Sequence, residues 1–394
     1  MPPKKKEEEK PKIRWGRVSN TLKMGLVGLP NVGKSLTFNV LTRLSVPSAN
    51  YPFCTIEPHE AVVEVPDIRF DWLSSNFKPG SNVKSVLKIW DIAGLVPNAY
   101  KGEGLGNAFL SNIQSVDGIY HVCRAFDSEE VLHTEGEVNP VRDLNIIRNE
   151  LIQKDLAFCH GKLDEAQKKL KASPKNKEFK EEVDTLARCE AMLKEGETIR
   201  STDEWTAKEV DVINRCQFLT TKPVVYLINM SEKDFIRQKN KFLVSIFEWV
   251  KNNGGGPVIP YSAEFEAKVT EQADGDREKF IKDSGAQKSM TDKIIKTGYE
   301  FLDLIHFFTV GPTEVRSWTI QKGAKAPEAA GTIHSDMERG FICAEIFKFE
   351  DIKEAGSEAG VKANGKLQQC GKTYEMCDGD ICFFKFNVTS AAKK

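Results

Sequence analysis

Apolar positions along the chain follow two different periods. Leu22–Val27 is a short apolar run that ends at Gly28, the pattern of a strand buried on both faces. Ser85–Trp90, Gly118–Val122, Lys222–Asn229 and Pro257–Pro260 read the same way, with helical stretches between them. Strands separated by helices predict an α/β fold, a parallel sheet covered on both faces. Between the third and fourth strands the period lengthens. Leu144, Ile147, Leu151 and Phe158 recur at helical spacing and continue through Leu163, Ala166 and Leu170. Ser173-Pro174-Lys175-Asn176 breaks the pattern, and Phe179, Val183, Leu186 and Leu193 resume it. Two amphipathic helices joined by a short turn predict an antiparallel hairpin inserted into the sheet domain. In the C-terminal stretch, β-type runs at Val315–Ile320, Phe341–Phe349 and Ile381–Phe386 alternate with turns such as Asp378-Gly379-Asp380, which predicts a small α+β module. Met1–Lys12 is proline, lysine and glutamate with almost nothing apolar, and reads as a solvated, disordered tail.

Composition narrows the class. The 394 residues suit two or three domains, and a hydrophobic share of 40% supports sizeable cores. Lysine plus arginine is 56 against 57 acids, so no global basic field is present and sequence-specific DNA binding is not expected. The 9 cysteines are scattered without a CxxC pair, which reads as reduced thiols and not as a disulfide or zinc framework. No apolar run approaches the ~18 residues of a membrane span, and the N-terminus has no apolar signal core. A soluble protein of the cytoplasm is expected, with the nucleus left open.

Candidate chemistry begins at Gly28-Leu29-Pro30-Asn31-Val32-Gly33-Lys34-Ser35, which matches G-x-x-x-x-G-K-[ST] between an apolar strand and a helix-like stretch. Its glycines let backbone N–H groups converge on phosphate oxygens, with the positive end of the next helix behind them. Lys34 is placed to reach the β- and γ-phosphates, and Ser35 to offer its hydroxyl to Mg²⁺. Ile89-Trp90-Asp91-Ile92-Ala93-Gly94 supplies D-x-x-G, with Asp91 toward the metal and the Gly94 N–H toward the γ-phosphate. Thr55, between the two motifs, is the candidate hydroxyl that meets Mg²⁺ only in the triphosphate state.

Nucleotide choice is read further on. GTP-binding proteins of this class place N-K-x-D after a late strand, the aspartate accepting from guanine N1–H and the 2-amino group. Here Asn229-Met230-Ser231-Glu232 occupies the position. The longer carboxylate of Glu232 moves off the guanine-pairing position, and Met230 offers a soft apolar stem suited to either purine. ATP is therefore expected ahead of GTP. Ser262-Ala263, after Val258–Tyr261, falls where such proteins close over the base. The residue after D-x-x-G is Leu95, where Ras-like proteins carry a water-orienting glutamine. Hydrolysis is then slow, or the water is placed by another group, a metal or a partner.

With these residues assembled, the chain resembles the Obg-like ATPases of the YchF type from Leu22 to Phe386. The motifs above carry the likeness, with Pro52-Phe53-Cys54-Thr55-Ile56, Gly102-Glu103-Gly104-Leu105-Gly106-Asn107, Phe307-Phe308-Thr309 and Lys325–His334. The resemblance implies a P-loop G domain over 19–138 and 215–304, a coiled-coil hairpin over 139–214, and a β-grasp-like TGS domain over 305–388, with tails at 1–18 and 389–394. It also implies ATP hydrolysis with Mg²⁺ and binding to the ribosome, its large subunit or rRNA. Nucleotide contacts fall on Asn31, Val32, Gly33, Lys34, Ser35, Leu36 and the backbone around Met230, and Mg²⁺ on Ser35 and Thr55. Asn31 resembles the asparagine that helps seat K⁺ in glutamine-less relatives. Three departures are visible: Leu36 where a small polar residue is usual, Asn112 where histidine is usual, and Pro97-Asn98 in place of a more basic pair. A GTPase of the same fold remains an alternative, as does an ATP-gated ribosome-binding module with negligible hydrolysis. Finally, Lys168, Lys169, Lys171, Lys175, Lys177 and Lys180 crowd the hairpin turn against the single acid Glu178. A solvated turn explains such a cluster, and a ribosomal partner makes it a candidate RNA contact.

Overall fold

The computed structural model describes residues 15–17, 19–43, 60–92, 112–128, 133, 136–202 and 204–387. The tail read at Met1–Lys12 and the motif residues Thr55, Gly94, Leu95, Pro97 and Asn98 lie outside them. The chain divides into two compact units, one of Met1–Arg17, Gly25–Lys34 and Ile92–Ser262, the other of Val18–Met24, Ser35–Asp91 and Ala263–Lys394.

The first unit holds the end of β1 (Lys23–Val27) with β5 (Gly118–Ala125), β6 (Val224–Met230) and β7 (Val258–Tyr261), in the order β1-β5-β6-β7. β5 pairs parallel with β6, and β6 with β7, as the unbroken apolar runs predict. Every residue of β5 is buried, so both faces of this strand are covered. The hairpin is present as helices Pro140–Ala172 and Lys177–Lys194. Asn139 starts the first by accepting from the Arg142 N–H, with Pro140 at the first turn where its missing N–H costs nothing. Asn176 starts the second by accepting from Glu178 and Phe179. A third helix, Ala207–Cys216, opens with a Thr206–Glu209 capping box. Cys159, Leu163, Ala166, Leu186, Cys189, Leu193 and Ile213 form their shared core, while Phe158 lies at its edge, half-buried against Phe218.

In the second unit, β2 (Glu60–Glu64) pairs with β4 (Val86–Asp91) antiparallel, a departure from the all-parallel expectation. The reason is the intervening excursion through helix Ile68–Phe77 and β3 (Ser81–Val83), which the Val65 N–H to Ser85 C=O bond closes at 2.8 Å. The chain re-enters beside the point it left, so it must run back. A second sheet takes β8 (Leu304–Val310), β9 (Glu314–Gln321), β10 (Phe341–Phe347), β11 (Gln368–Cys370) and β12 (Ile381–Phe386), in the order β11-β10-β12-β8-β9-β3. Strand β10 stops at Phe347, two residues before the expected end, because Lys348 starts the helix Phe349–Ala355. Helix Ala326–Ile333 packs Ala326, Ala329 and Ala330 against Phe307, Ile320 and Ile346 of this sheet, a β-grasp-like arrangement. Among the described residues no helix is long and apolar enough to cross a membrane, and the eight described cysteines are free thiols.

Candidate nucleotide-binding site

Strand β1 delivers the chain into the glycine loop, and a helix spanning Lys34–Arg43 takes it up. A Cβ on Gly28 would sit 2.5 Å from the Val122 carbonyl oxygen, so only glycine lets the loop leave the sheet at this point. Asn31 and Gly33 adopt φ of 62° and 100°. Left-handed residues at this spacing turn successive N–H groups toward one side, which is how backbone receives an anion. Lys34 is buried, and its Nζ donates to the Gly28 and Leu29 carbonyls at 3.0 and 2.7 Å. The ammonium thus lies on its own loop at a helix N-terminus, two positive contributions on one spot.

Two side chains brace the loop from the neighbouring strands. Asn229, buried at the end of β6, donates through Nδ2 to the Val32 carbonyl at 2.9 Å. Arg124, buried near the end of β5, donates to the Asn31 carbonyl at 3.4 Å and the Phe126 carbonyl at 3.0 Å, its guanidinium 4.6 Å from the Phe126 ring. His121 is buried in the same strand. Burial first, and the positive charge of Lys34 second, push its pKa down to about 3, so the imidazole is neutral. Sequence reasoning missed Arg124 and His121. The available signal was a cation inside an otherwise apolar strand run, Val122-Cys123-Arg124-Ala125.

The remaining candidates separate clearly. Val32 is buried and Asn31 exposed. Met230 is buried in the core with Cys123, Ala125, Leu144 and Ile246, so its thioether is not a purine platform and only its backbone remains for a base. This corrects the expectation of an apolar stem beneath the base: Met230 ends a strand buried from Val225 onward, and its side chain joins that core. Glu232 opens the helix Glu232–Arg237, half-buried, after Ser231 caps it by accepting from the Asp234 N–H. Ser262 follows β7 and is fully buried. Ser35 and Leu36 are exposed at the start of their helix, and Asp91 is half-buried at the end of β4. Thr37, one residue on, is buried. The hydroxyl of Ser35 and the carboxylate of Asp91 are hard oxygen donors of the kind Mg²⁺ takes alongside phosphate oxygens. All six hairpin lysines are exposed.

Two family models match the chain. One, described as a 50S ribosome-binding GTPase, covers residues 23–156, and the C-terminal model of YchF GTPases, described as a protein of unknown function, covers 304–387. Obg-like ATPase 1 of Oryza sativa subsp. japonica is 52% identical over 397 residues, 100% of both chains. The protein of the same description from Homo sapiens is 48% identical, again over 100% of both. A solved structure of the Schizosaccharomyces pombe YchF GTPase superposes with a TM-score of 0.86 at 47% identity, covering 95% of this chain and 100% of that one. Coverage of this extent includes the braced loop, the hairpin and the C-terminal sheet together, and on that ground the chain belongs to the YchF family of Obg-like ATPases, P-loop nucleotide hydrolases with a G domain and a YchF-type C-terminal domain.

Proposed function

We propose that this chain hydrolyses ATP in preference to GTP, with Mg²⁺, and that the ribosome's large subunit reads its nucleotide state from a cytoplasmic or nuclear pool. The observation that carries the preference is Glu232 in the first turn after Asn229, with the Met230 side chain withdrawn into the core. A glutamate here lies one methylene beyond the aspartate position that pairs guanine, while adenine presents an acceptor at N1 and has no 2-amino donor for a carboxylate at that position. The relatives' description as ATPases supports the same reading. In this scheme Lys34 meets the β- and γ-phosphate charge, the loop N–H groups cradle it, and Ser35 and Asp91 hold the metal. Mg²⁺ held there would supply neutralisation of phosphate charge. The exposed side chain of Asn31 is the candidate contact for K⁺. One observation favours a second reading, a module that binds ATP and scarcely turns it over. Asn112 is exposed and, being an amide, cannot take a proton from water.

Phosphate release from ATP and GTP side by side, in potassium and in sodium, with and without ribosomes, tests this. ATP turnover should exceed GTP turnover, and Lys34→Ala should abolish both while leaving a folded chain. Glu232→Asp should move preference toward GTP by at most about 3 kcal/mol, the upper end for one base-edge hydrogen-bonding pair. GTP dominance in the wild type overturns the preference, and tight ATP binding without turnover establishes the second reading.

A further inference from the structure

The ends of β5 and β6 remote from the loop are held by an unusual set of buried polar contacts. The two strands run parallel in register, Ile119 opposite Val224 at one end and Ala125 opposite Met230 at the other. Arg124 and Asn229 brace the loop from the Ala125–Met230 end. At the opposite end, away from the loop, Lys222 is buried, and its ammonium donates to the carbonyls of Val116 at 2.5 Å and Gln114 at 3.3 Å. The Pro223 carbonyl accepts from the Ile119 N–H at 2.9 Å. One lysine thus fastens the entry of β5 to the entry of β6.

The same junction is fastened to the hairpin. Asp155, buried in the long helix Pro140–Ala172, accepts from the N–H groups of Leu219 and Thr220 at 2.9 and 2.7 Å, just ahead of Lys222. Arg200 donates to the Thr221 carbonyl at 3.3 Å. Arg17 grips Asp117 through two nitrogens at 2.7 and 2.9 Å, while the neighbouring Gly16 N–H bonds Asn214 Oδ1 at 2.8 Å and Trp15 packs on the hairpin core. The charged groups facing Lys222 are Asp117, Arg17 and Asp155.

We propose that Lys222 is a positioning residue of the nucleotide loop, the joint through which the helical hairpin and the loop sense one another along β5 and β6. A shift of Asp155 moves the turn it holds and therefore Lys222. Because packed strands do not stretch, the displacement reaches Arg124 and Asn229, which set the loop's shape. Nucleotide on the loop must then act back on the hairpin by the same factor. The inference rests on the nucleotide-binding reading above. Burial supports the assignment independently of geometry: it brings the Lys222 pKa down to about 8, the mark of an ammonium stripped of water and dependent on protein carbonyls.

Amide hydrogen exchange on the full chain, with and without saturating ATP and Mg²⁺, tests the coupling. In the wild type, ATP should slow exchange in the hairpin around Asp155. Lys222→Met should lose that protection and weaken ATP binding by roughly fivefold or more, the lower end of ordinary site-to-site coupling. Lys222→Arg, which restores a donor, should recover both; a purely structural role would lower stability in each state alike and leave the ATP-dependent difference intact. If Lys222→Met does not fold, Arg17→Ala removes the solvent-facing side of the joint and carries the same test. Wild-type protection in either folded variant, or ATP binding by the wild type with no change at the hairpin, overturns the coupling alone. Failure of the wild type to bind ATP overturns the nucleotide reading, and the coupling with it.

Discussion

The carboxylate of Asp67 holds three stretches of chain at once. It caps the helix Ile68–Phe77 by accepting from the Arg69 N–H at 2.7 Å, pairs with the Arg69 guanidinium at 2.7 Å, and accepts from His306 Nε2 at 2.5 Å. Asp378 closes the group by accepting from Arg69 Nη2 at 2.8 Å and from the His306 backbone N–H at 3.1 Å. Burial alone would raise the Asp67 pKa, but the hydrogen bonds from His306 and Arg69 outweigh it and hold the carboxyl well below the usual range. A folded pKa below the unfolded value of about 4 means stability that is fully present above the unfolded value and lost progressively as pH falls from it down through the folded one. The stability gap between wild type and Asp67→Asn should therefore be full at pH 7 and shrink from pH 5 toward pH 3. Urea midpoints for the two proteins at four pH values measure it, and a gap independent of pH would refute the ionised cluster. No sequence pattern announces this group, because Asp67 and His306 are far apart in the chain and neither lies in a motif. The glycine loop around Lys34 was legible for the opposite reason: its motif, Gly28–Ser35, lies within eight residues.

At the scale of elements, the helical hairpin was the easiest part to read. Its period and its proline break are local signals, and the first helix ends and the second begins at that break. Asp155 was hidden because it occupies a core position of the apolar stripe, where a charge is tolerated only with two backbone donors waiting. The turn itself carries the exposed lysines, of which Lys169 has a carboxylate, Glu182, at 3.7 Å. A cluster of exposed ammoniums on a turn suits phosphate backbones and reads no sequence. Changing Lys168, Lys169, Lys175 and Lys177 to glutamate should cut co-sedimentation with ribosomes and flatten its salt dependence by about 0.9 in log–log slope per lost phosphate contact. ATP turnover of the isolated protein should stay near that of the wild type. Identical salt profiles would return the cluster to a solvated turn.

For the whole molecule, the least legible feature is the second unit's composition. The sequence suggests that the C-terminal module begins near residue 305, yet its outer strand is β3, and Phe70 and Leu73 share a core with Phe308, Val315, Phe347 and Ile381. Three polar or half-buried residues, Ser81-Asn82-Val83, carry no strand signal of their own; the sheet edge recruits them. A fragment ending at Asp303 should therefore be insoluble or lose protection in helix Ile68–Phe77, since burying Phe70 and Leu73 contributes about 1.5–3 kcal/mol each. Sedimentation and hydrogen exchange of that fragment check it, and a soluble fragment with a native-like helix would refute it. The same pairing governs how the protein is made. Ser81 aligns with Glu314, roughly 230 residues downstream, so at ordinary translation speeds of about 5–20 residues per second this early helix leaves the exit tunnel tens of seconds before its partners exist. During that interval Phe70 and Leu73 are sticky surface on a nascent chain, and the polypeptide depends on whatever shelters them until synthesis is nearly finished.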